Sequence, residues 1–287
     1  MRRLYGIIGY PVAHSLSPVF QQAAFDATGL DAAYVPFGLS PDLLQEGLRA
    51  LDLLGVAGFN VTLPHKEALH AWVSMRDPVA QKTGSVNTVI RKDAGWFGAN
   101  TDVPGFCVAL QHFLTRSVEA GVMHPLVLGA GGSARSVVAG LWEMGFPALT
   151  IVNRNRRRAE SLVAFFRHSG MRQDVEILDL EEFGRCGLKK SDLVINTLSR
   201  DAYEDRFPLL DQVDLKGVRG FYDLSYQRDG ALTPFLEKGE REGIPVDDGI
   251  GMLLEQGALS FEWWTGLPAP RKEMANALSS CLGKTIL

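Results

Sequence analysis

Short apolar runs alternate along the chain with segments in which apolar residues recur every three or four positions. Apolar runs of four to six residues predict strands, and the three-to-four spacing predicts amphipathic helices. Their alternation is typical of βα units and of mainly parallel sheets. We predict strands at 4–9, 34–37, 58–62, 86–90, 126–128, 149–153, 175–178, 193–196 and 221–224.

Several helix starts can be predicted from local signals. Ser17 and Ser40 are each followed by Pro, a pairing typical of a cap residue and the first helical position. We predict a further helix from Pro64, one within the arginine run at 154–158, and a strongly apolar one at 252–264.

Composition narrows the class of protein. A length of 287 residues suits two domains, and 46% hydrophobic with 22% charged residues predicts packed cores. A net charge of -4 gives no basic excess for nucleic acid or an anionic membrane, and no apolar run approaches the ~20 residues of a membrane helix. Three scattered cysteines favour a reducing cytoplasm. No cluster has metal-ligand spacing, so we expect no metal.

A glycine-rich loop follows the predicted strand at 126–128. The loop has the pattern G-x-G-x-x-A, with Gly129 permitting a tight turn, Gly131 a close backbone approach and Ala134 close helix packing. The helix that follows offers free N–H groups and a positive dipole to phosphates. The loop therefore predicts a dinucleotide site rather than only a tight turn.

The next predicted strand ends at Asn153-Arg154, where an NAD enzyme would usually carry an acidic residue for the ribose hydroxyls. Asn155 and then Arg156 to Arg158 follow. Cations at a helix N-terminus oppose the helix dipole by about 0.3–1 kcal/mol each, a cost that a bound anion would offset. A 2′-phosphate fits, so NADP is preferred over NAD; the alternative is a solvated basic patch.

Polar residues concentrate where the first predicted strands end, in the segments 9–18, 60–66, 84–88 and 100–102. Ligands of parallel sheets bind beyond the carboxyl ends of the strands. These segments therefore predict a site for a small polar molecule.

In these motifs, taken in order, the chain resembles the shikimate dehydrogenase family over nearly its whole length. The segments that carry the resemblance are 14–18, 60–66, 85–88, 100–102, the glycine loop at 129–134, 153–154, 222–226 and 249–256. The resemblance implies the reversible NADPH-linked reduction of 3-dehydroshikimate to shikimate, in aromatic amino acid biosynthesis.

The same resemblance assigns Lys66 and Asp102 as the catalytic pair. Reduction of a carbonyl builds negative charge on its oxygen, which a nearby ammonium stabilises and can protonate. Asp102 could bind the same hydroxyl, orient Lys66 and share in proton transfer, and the sequence leaves that division open. Since this pair suffices, His14 and His65 are not assigned a role.

By resemblance, Ser15 and Ser17 bind the substrate carboxylate, and the remaining substrate contacts are Asn60, Thr62, Asn87, Asp102, Tyr226 and Gln256. Tyr226 would approach from the cofactor side. The residues expected to bind NADP are Gly129, Ala130, Gly131, Gly132, Ser133, Asn153, Arg154, Arg158, Leu224, Gly249 and Met252. Two departures weaken the cofactor assignments: Asn155 replaces the Thr that often follows Asn-Arg in this family, and 197–201 is less rich in Gly and Pro than usual.

The resemblance also implies a discontinuous arrangement of two α/β domains separated by a cleft. An N-terminal substrate-binding catalytic domain, 1–105, would be completed by 252–287, and a Rossmann-type NADP-binding domain would span 106–251. We expect a cytoplasmic monomer or homodimer whose partner is the small-molecule substrate, with no nucleic acid and no membrane.

Three alternatives remain. A quinate/shikimate dehydrogenase with NAD or dual cofactor use is disfavoured by the arginine cluster and Ser17. A two-domain methylenetetrahydrofolate enzyme would not need the Ser15 and Ser17 carboxylate site. A non-catalytic sensor of shikimate-like acids would not need both Lys66 and Asp102.

Overall fold

The computed structural model describes residues 2–118, 121–188, 191–198 and 213–286. The chain forms two compact units, each with its own six-stranded sheet. The first unit comprises Met1–Gly105 and Leu253–Leu287, and the second comprises Phe106–Met252.

The strands follow the predicted apolar runs closely, with three additions. They are β1 Arg3–Gly9, β2 Ala32–Gly38, β3 Gly58–Val61, β4 Met75–Arg76, β5 Thr88–Lys92, β6 Gly95–Ala99, β7 Pro125–Leu128, β8 Ala148–Val152, β9 Asp174–Leu178, β10 Leu193–Asn196, β11 Gly220–Asp223 and β12 Val246–Asp248. The unpredicted strands are β4, β6 and β12. β4 has only two residues, β6 is interrupted by glycine and β12 is mostly acidic, so none forms an apolar run.

The helices alternate with these strands. They are α1 Ser17–Ala27, α2 Leu44–Leu53, α3 Lys66–Trp72, α4 Pro78–Thr83, α5 Asp102–Ser117, α6 Gly132–Glu143, α7 Arg156–His168, α8 Leu180–Cys186, α9 Pro234–Arg241, α10 Ile250–Thr265 and α11 Arg271–Leu282. Among the residues that the structure describes, none of these helices combines the length and apolar character needed to cross a bilayer.

Two predicted helix starts are corrected by the structure. Ser17 is the first residue of α1 rather than its cap: Leu16 holds the cap position, and no side chain caps the helix. The predicted helix at Pro64 begins instead at Lys66, because a turn precedes it in which the His65 N–H donates to the Thr62 carbonyl at 3.0 Å.

The first sheet has the strand order β2-β1-β3-β5-β6-β4. β5 is antiparallel to both of its neighbours, and the other described pairings are parallel. β5 therefore begins at the edge where β1, β3 and β6 end. The residues before β5 and those after these three strands lie along one edge of this sheet.

The second sheet has the order β12-β11-β10-β7-β8-β9, and each of its described pairings is parallel. This is the Rossmann order, in which the chain reverses its direction of winding between β7 and β10. Ligands of such sheets bind outside the carboxyl ends of the strands at this switch point.

Each sheet is covered by its own apolar core. In the first unit Phe59 and Trp96 pack with their ring centroids 5.4 Å apart, and in the second Phe221 and Phe235 stack at 4.6 Å. Complete burial of such a side chain stabilises the fold by about 1.5–3 kcal/mol. Both sheets are therefore firmly held supports for the polar residues at their edges.

Replacing Gly249 by Ala should destabilise the second unit, because an added Cβ would lie 2.0 Å from the Leu224 carbonyl oxygen. We expect the free energy of unfolding to fall by about 3 kcal/mol, measured by urea denaturation. Gly251→Ala is the matched control, since its Cβ would meet only the Ala109 Cβ at 3.4 Å. Equal stability of the two variants would contradict the proposed clash.

Candidate functional site

The polar edge of the first sheet contains an ion pair between Lys66 and Asp102. The Lys66 Nζ donates to the Asp102 Oδ2 at 2.7 Å, and the two side chains are 18% and 7% exposed. Each is the first residue of its helix, α3 or α5. A pair this well shielded interacts more strongly than an exposed one.

Asp102 is the first residue of α5 rather than its cap. At this end of the helix it is the Asn100 Oδ1 that accepts from the Val103 N–H, at 3.2 Å. The Asp102 carboxylate is therefore available to Lys66, while the positive end of the α5 dipole favours its charge.

Asn87 holds the second oxygen of the Asp102 carboxylate. Its Nδ2 donates to the Asp102 Oδ1 at 2.8 Å, and its Oδ1 accepts from the Thr101 backbone N–H at 2.7 Å. A backbone N–H can only donate, so this bond fixes which end of the Asn87 amide faces Asp102. The Gln256 Oε1 lies 3.3 Å from the same Asn87 nitrogen. The structure thus brings Lys66, Asp102, Asn87 and Gln256 together.

Asn60 lies behind Asn87 and is buried. Its Nδ2 donates to the Asn87 carbonyl at 3.1 Å, and its Oδ1 accepts from the Tyr34 hydroxyl at 2.7 Å. Burial raises the pKa of Tyr34 well above its usual value, and a hydrogen bond with Ser17 partly offsets this. Tyr34 therefore connects Ser17 to Asn60. Sequence reasoning missed Tyr34, because an aromatic residue within a strand has the pattern of a core residue.

The serine and threonine positions predicted to contact substrate lie along the same edge. The Ser15 Oγ accepts from the Ser17 backbone N–H at 3.2 Å, and Thr62 follows β3, with its N–H donating to the Ile8 carbonyl at 2.9 Å. His65 is buried, with its Nε2 2.6 Å from the Leu39 carbonyl oxygen. That contact explains the presence of a buried imidazole at position 65 without a catalytic role.

In the second unit the glycine loop connects β7 to α6. Gly129 has φ +105°, and a Cβ there would lie 2.6 Å from the Thr197 Oγ1. Gly131 holds the cap position of α6, and no side chain caps this helix. A Cβ on Gly131 would meet only the Arg158 Nη2, at 3.9 Å. An open backbone face, the N-terminus of α6 and a guanidinium therefore lie together. Ala130 belongs to the same loop, and Gly132 and Ser133 are the first two residues of α6.

Asn155 caps α7, with its Oδ1 accepting from the Arg158 N–H at 3.3 Å, and the Asn153 Nδ2 donates to the Asn155 carbonyl at 2.8 Å. Arg156 is paired with Glu160 and Glu182. Within the described ranges, neither Arg154 nor Arg158 has a carboxylate within 4.0 Å. Asn155, the residue that departs from the family pattern, thus caps the helix that carries Arg158, and Arg154 lies directly before that cap.

Leu224 and Gly249 are brought side by side at the ends of β11 and β12. The Leu224 N–H donates to the Asn196 carbonyl at 2.9 Å, and the Gly249 N–H lies 3.4 Å from the Ser225 carbonyl oxygen. Met252 lies half-buried on α10. Tyr226 lines a cavity of about 260 Å³ together with Asp223 and Thr233.

Asp223, at the end of β11, was not predicted as a site residue. It is 1% exposed and accepts hydrogen bonds from the Asn196 Nδ2 at 2.9 Å, the Ser225 N–H at 2.9 Å and the Thr233 hydroxyl at 2.6 Å. Burial raises the pKa of Asp223 to about 6, against the opposing effect of these bonds. It joins three segments and holds both ends of the loop that carries Tyr226. An acidic residue directly after an apolar run was the available signal.

The second unit has the strand order, glycine loop and helix N-terminus of a dinucleotide-binding domain. The first unit has a shielded ammonium–carboxylate pair among hydroxyl and amide groups. Within the described part of the chain, no group of His, Cys, Asp and Glu is placed to hold a metal ion. These features define a two-unit α/β protein of the dinucleotide-linked oxidoreductase class.

Comparison with known proteins identifies the family. Residues 7–89 match the shikimate dehydrogenase substrate binding domain, 115–206 match shikimate / quinate 5-dehydrogenase, and 249–278 match the shikimate 5′-dehydrogenase C-terminal domain. The chain is 42% identical to the shikimate dehydrogenase (NADP(+)) of Geobacter sulfurreducens, over 98% of this chain and 97% of that protein.

Solved structures agree in fold. Shikimate dehydrogenase from Aquifex aeolicus superposes with a TM-score of 0.83 at 32% identity, covering 96% of this chain and 97% of that one. The Thermus thermophilus shikimate 5-dehydrogenase, in complex with NADP(H) and shikimate, gives a TM-score of 0.80 at 32% identity, covering 98% and 100%. The chain belongs to the shikimate dehydrogenase family.

The family and the α/β fold class predicted from the sequence are confirmed. The individual roles of the site residues stay predictions. Of the segment 197–201, whose departure from the family pattern was noted, residues 199–201 lie outside the described ranges.

Asp223→Asn should change how stability depends on pH. Because the folded chain binds this proton more tightly than the unfolded chain, Asp223 contributes stability that is complete below pH 3.8 and is lost as the pH rises through about 6. Between pH 4 and pH 7.5, the free energy of unfolding of the wild type should fall by roughly 2.5 kcal/mol relative to the variant.

Urea denaturation across this pH range measures the difference. Asp174→Asn removes one exposed carboxylate from the same unit and serves as the control. A stability difference between wild type and Asp223→Asn that stays constant with pH would contradict the assignment.

Proposed function

We propose that this protein catalyses the reversible NADPH-linked reduction of 3-dehydroshikimate to shikimate, within aromatic amino acid biosynthesis. The observation that carries the proposal is the Lys66–Asp102 pair, 2.7 Å apart and braced by Asn87 at the carboxyl edge of the first sheet. Membership of the shikimate dehydrogenase family supports the choice of substrate.

Lys66 would act on the substrate oxygen that changes between carbonyl and hydroxyl. An ammonium has three N–H donors, of which Asp102 takes one, so two remain for that oxygen and a neighbour. In the direction of reduction, the ammonium stabilises the negative charge that develops on the oxygen and delivers a proton to it. Asp102 orients the ammonium and accepts a hydrogen bond from a substrate hydroxyl.

The remaining polar residues of the first unit would fix the orientation of the ring. Ser15 and Ser17 would donate hydroxyl hydrogen bonds to the substrate carboxylate. Thr62, Asn87 and Gln256 would contact ring hydroxyls, as would Asn60. The Asn60 Oδ1 already accepts one bond from Tyr34, so it could accept one more from a substrate hydroxyl. Tyr226, on the loop held by Asp223, would supply a further contact.

The residues of the second unit fit a phosphorylated dinucleotide. The fit rests on the space beside the Gly131 backbone. This space is bordered by the Arg158 guanidinium and by the N-terminus of α6, which no side chain caps. Backbone N–H groups there suit a pyrophosphate, and Arg154 and Arg158 suit a 2′-phosphate. When bound, NADPH supplies the hydride. The residues that would hold it are Gly129, Ala130, Gly131, Gly132, Ser133, Asn153, Arg154, Arg158, Leu224, Gly249 and Met252.

These assignments make 1–105 with 252–287 the substrate-binding catalytic domain and 106–251 the NADP-binding domain. The three scattered cysteines are compatible with a cytoplasmic location, and the protein would act as a monomer or a homodimer. A second candidate is a quinate/shikimate dehydrogenase with NAD or dual cofactor use, favoured by the family description matched at 115–206. One steady-state assay, pairing shikimate or quinate with NADP or NAD, separates the two by its preferred pair.

Lys66→Ala should lower kcat for 3-dehydroshikimate reduction by about 10²–10⁴-fold, since general acid catalysis contributes that much. The absorbance of NADPH follows the reaction, and calorimetry checks that shikimate still binds. The exposed Lys272→Ala variant of the first unit is the control. Turnover that survives in Lys66→Ala would remove Lys66 from the proposed role.

Arg158→Ala should raise the KM for NADP by about 10–100-fold, because a hydrogen bond between charged groups is worth about 1.5–3 kcal/mol. The KM for NAD should change little, since NAD lacks the 2′-phosphate. Arg156→Ala is the matched control on the same helix, because its guanidinium is already paired with Glu160 and Glu182. A parallel rise of both KM values would place Arg158 outside the 2′-phosphate site.

A further inference from the structure

A cluster of buried hydroxyl and amide side chains lies behind Asn87. The proposed reaction does not explain why these polar groups are buried together there. The inner network, as we call it, consists of Tyr34, Asn60, Thr88, Thr101 and Ser260. Each of these side chains is almost or fully buried. Buried polar groups of this kind hold a defined arrangement only when their donors and acceptors are matched.

Two backbone groups determine the direction of the hydrogen bonds in the inner network. The Asn87 carbonyl can only accept, so the Asn60 side chain must present its Nδ2 to it, at 3.1 Å. The Asn60 Oδ1 then faces the Tyr34 hydroxyl, which donates. The Thr101 N–H can only donate, so Asn87 must present its Oδ1 there and its Nδ2 to Asp102.

Ser260 lies at the centre of this arrangement and is 0% exposed. Its Oγ is 2.9 Å from the Asn60 Nδ2, 2.7 Å from the Thr88 Oγ1 and 3.1 Å from the Thr101 Oγ1. It also donates to the carbonyl of Gln256, one turn earlier on α10, at 2.9 Å. One hydroxyl therefore joins β3, β5, the segment before α5 and α10.

We propose that Ser260 is a positioning residue for this reaction: by holding the Thr88 and Thr101 hydroxyls, it keeps the Asn87 side chain in the position that orients the Asp102 carboxylate and, through it, the Lys66 ammonium. The inference rests on the proposed function. Ser260 need not touch the substrate, since its hydroxyl is already used within the inner network.

Competition for the oxygen of the Asn87 amide explains why the Ser260 hydroxyl matters. The Thr88 and Thr101 hydroxyls lie 3.1 Å and 3.2 Å from the Asn87 Oδ1, which also accepts from the Thr101 N–H. Without Ser260, both hydroxyls lose a partner and turn to this one oxygen. The Asn87 amide then shifts, and with it the carboxylate that orients Lys66. Small displacements of this kind lower turnover strongly, by up to about 10²-fold for 1 Å.

The experiment is a double-mutant cycle on the full-length protein, with Ser260→Ala made alone and in an Asn87→Ala background. We expect Ser260→Ala to lower kcat for 3-dehydroshikimate reduction about tenfold in the wild-type background, with a smaller change in KM. In the Asn87→Ala background it should lower kcat less than about twofold, because the side chain through which Ser260 acts is absent. An equal loss in both backgrounds, or no loss in either, would overturn the inference.

The control is Thr265→Val, which removes another hydroxyl from α10, one that donates to the Phe261 carbonyl at 2.8 Å and lies outside the inner network. It should leave kcat unchanged, and a loss equal to that of Ser260→Ala would assign the effect to helix stability and overturn the inference. Should Ser260→Ala fail to fold, Ser260→Cys replaces it, because a thiol has a similar volume and forms weaker hydrogen bonds. A loss of kcat that depends on Asn87 again supports the inference, and an equal loss in both backgrounds or no loss in either again overturns it. If the wild type reduces 3-dehydroshikimate and the kcat losses of Ser260→Ala and Asn87→Ala simply add, only the Ser260 inference is wrong. If the wild type does not catalyse this reaction, the proposed function is wrong as well.

Discussion

The ion pair between Lys66 and Asp102 is the interaction on which the first unit is organised. A carboxylate only 7% exposed is costly unless both of its oxygens are engaged, and here Lys66 takes one and Asn87 the other. The two charged residues begin two different helices, so the pair forms only if α3 and α5 start at the same edge of the sheet. The mixed sheet meets this condition. β5 is antiparallel to both β3 and β6, so β3 and β6 end at the same edge of the sheet, and α3 and α5 follow them there.

The second unit relies on backbone and helix electrostatics rather than on a paired charge. Gly131 leaves a face of the chain open at the N-terminus of α6, and Arg158 approaches it from α7. Asn155 stabilises the start of α7 by capping it, which counters the repulsion between its dipole and the arginines. The cap thus lets α7 keep positively charged residues in its first turn at a small cost in helix stability.

Asp223 and Asp102 are two buried carboxylates that are stabilised in different ways. Asp102 has an ammonium partner, whereas the described partners of Asp223 are neutral donors from Asn196, Ser225 and Thr233. Neutral donors do not fully replace the lost hydration, so burial raises the pKa of Asp223 to about 6. Asp102 is held in an ion pair at the polar edge of the first sheet, whereas Asp223 holds the loop that carries Tyr226.

Features that arise from neighbours along the chain could be predicted from the amino-acid order alone: most strands, the glycine loop, the arginine-rich start of α7 and the family. These depend on local spacing and on caps, which a linear pattern contains. The short strands β4, β6 and β12, the Tyr34 link and the position of Ser260, which bonds to Asn60 across 200 positions of the chain, emerge only in the folded molecule. The hydrogen-bond partner of a polar residue in a strand or helix cannot be read from the neighbouring sequence, because the packing of the sheet determines which distant residues meet. The ordering of the donors around Asn87 is therefore a product of the fold, not of any motif.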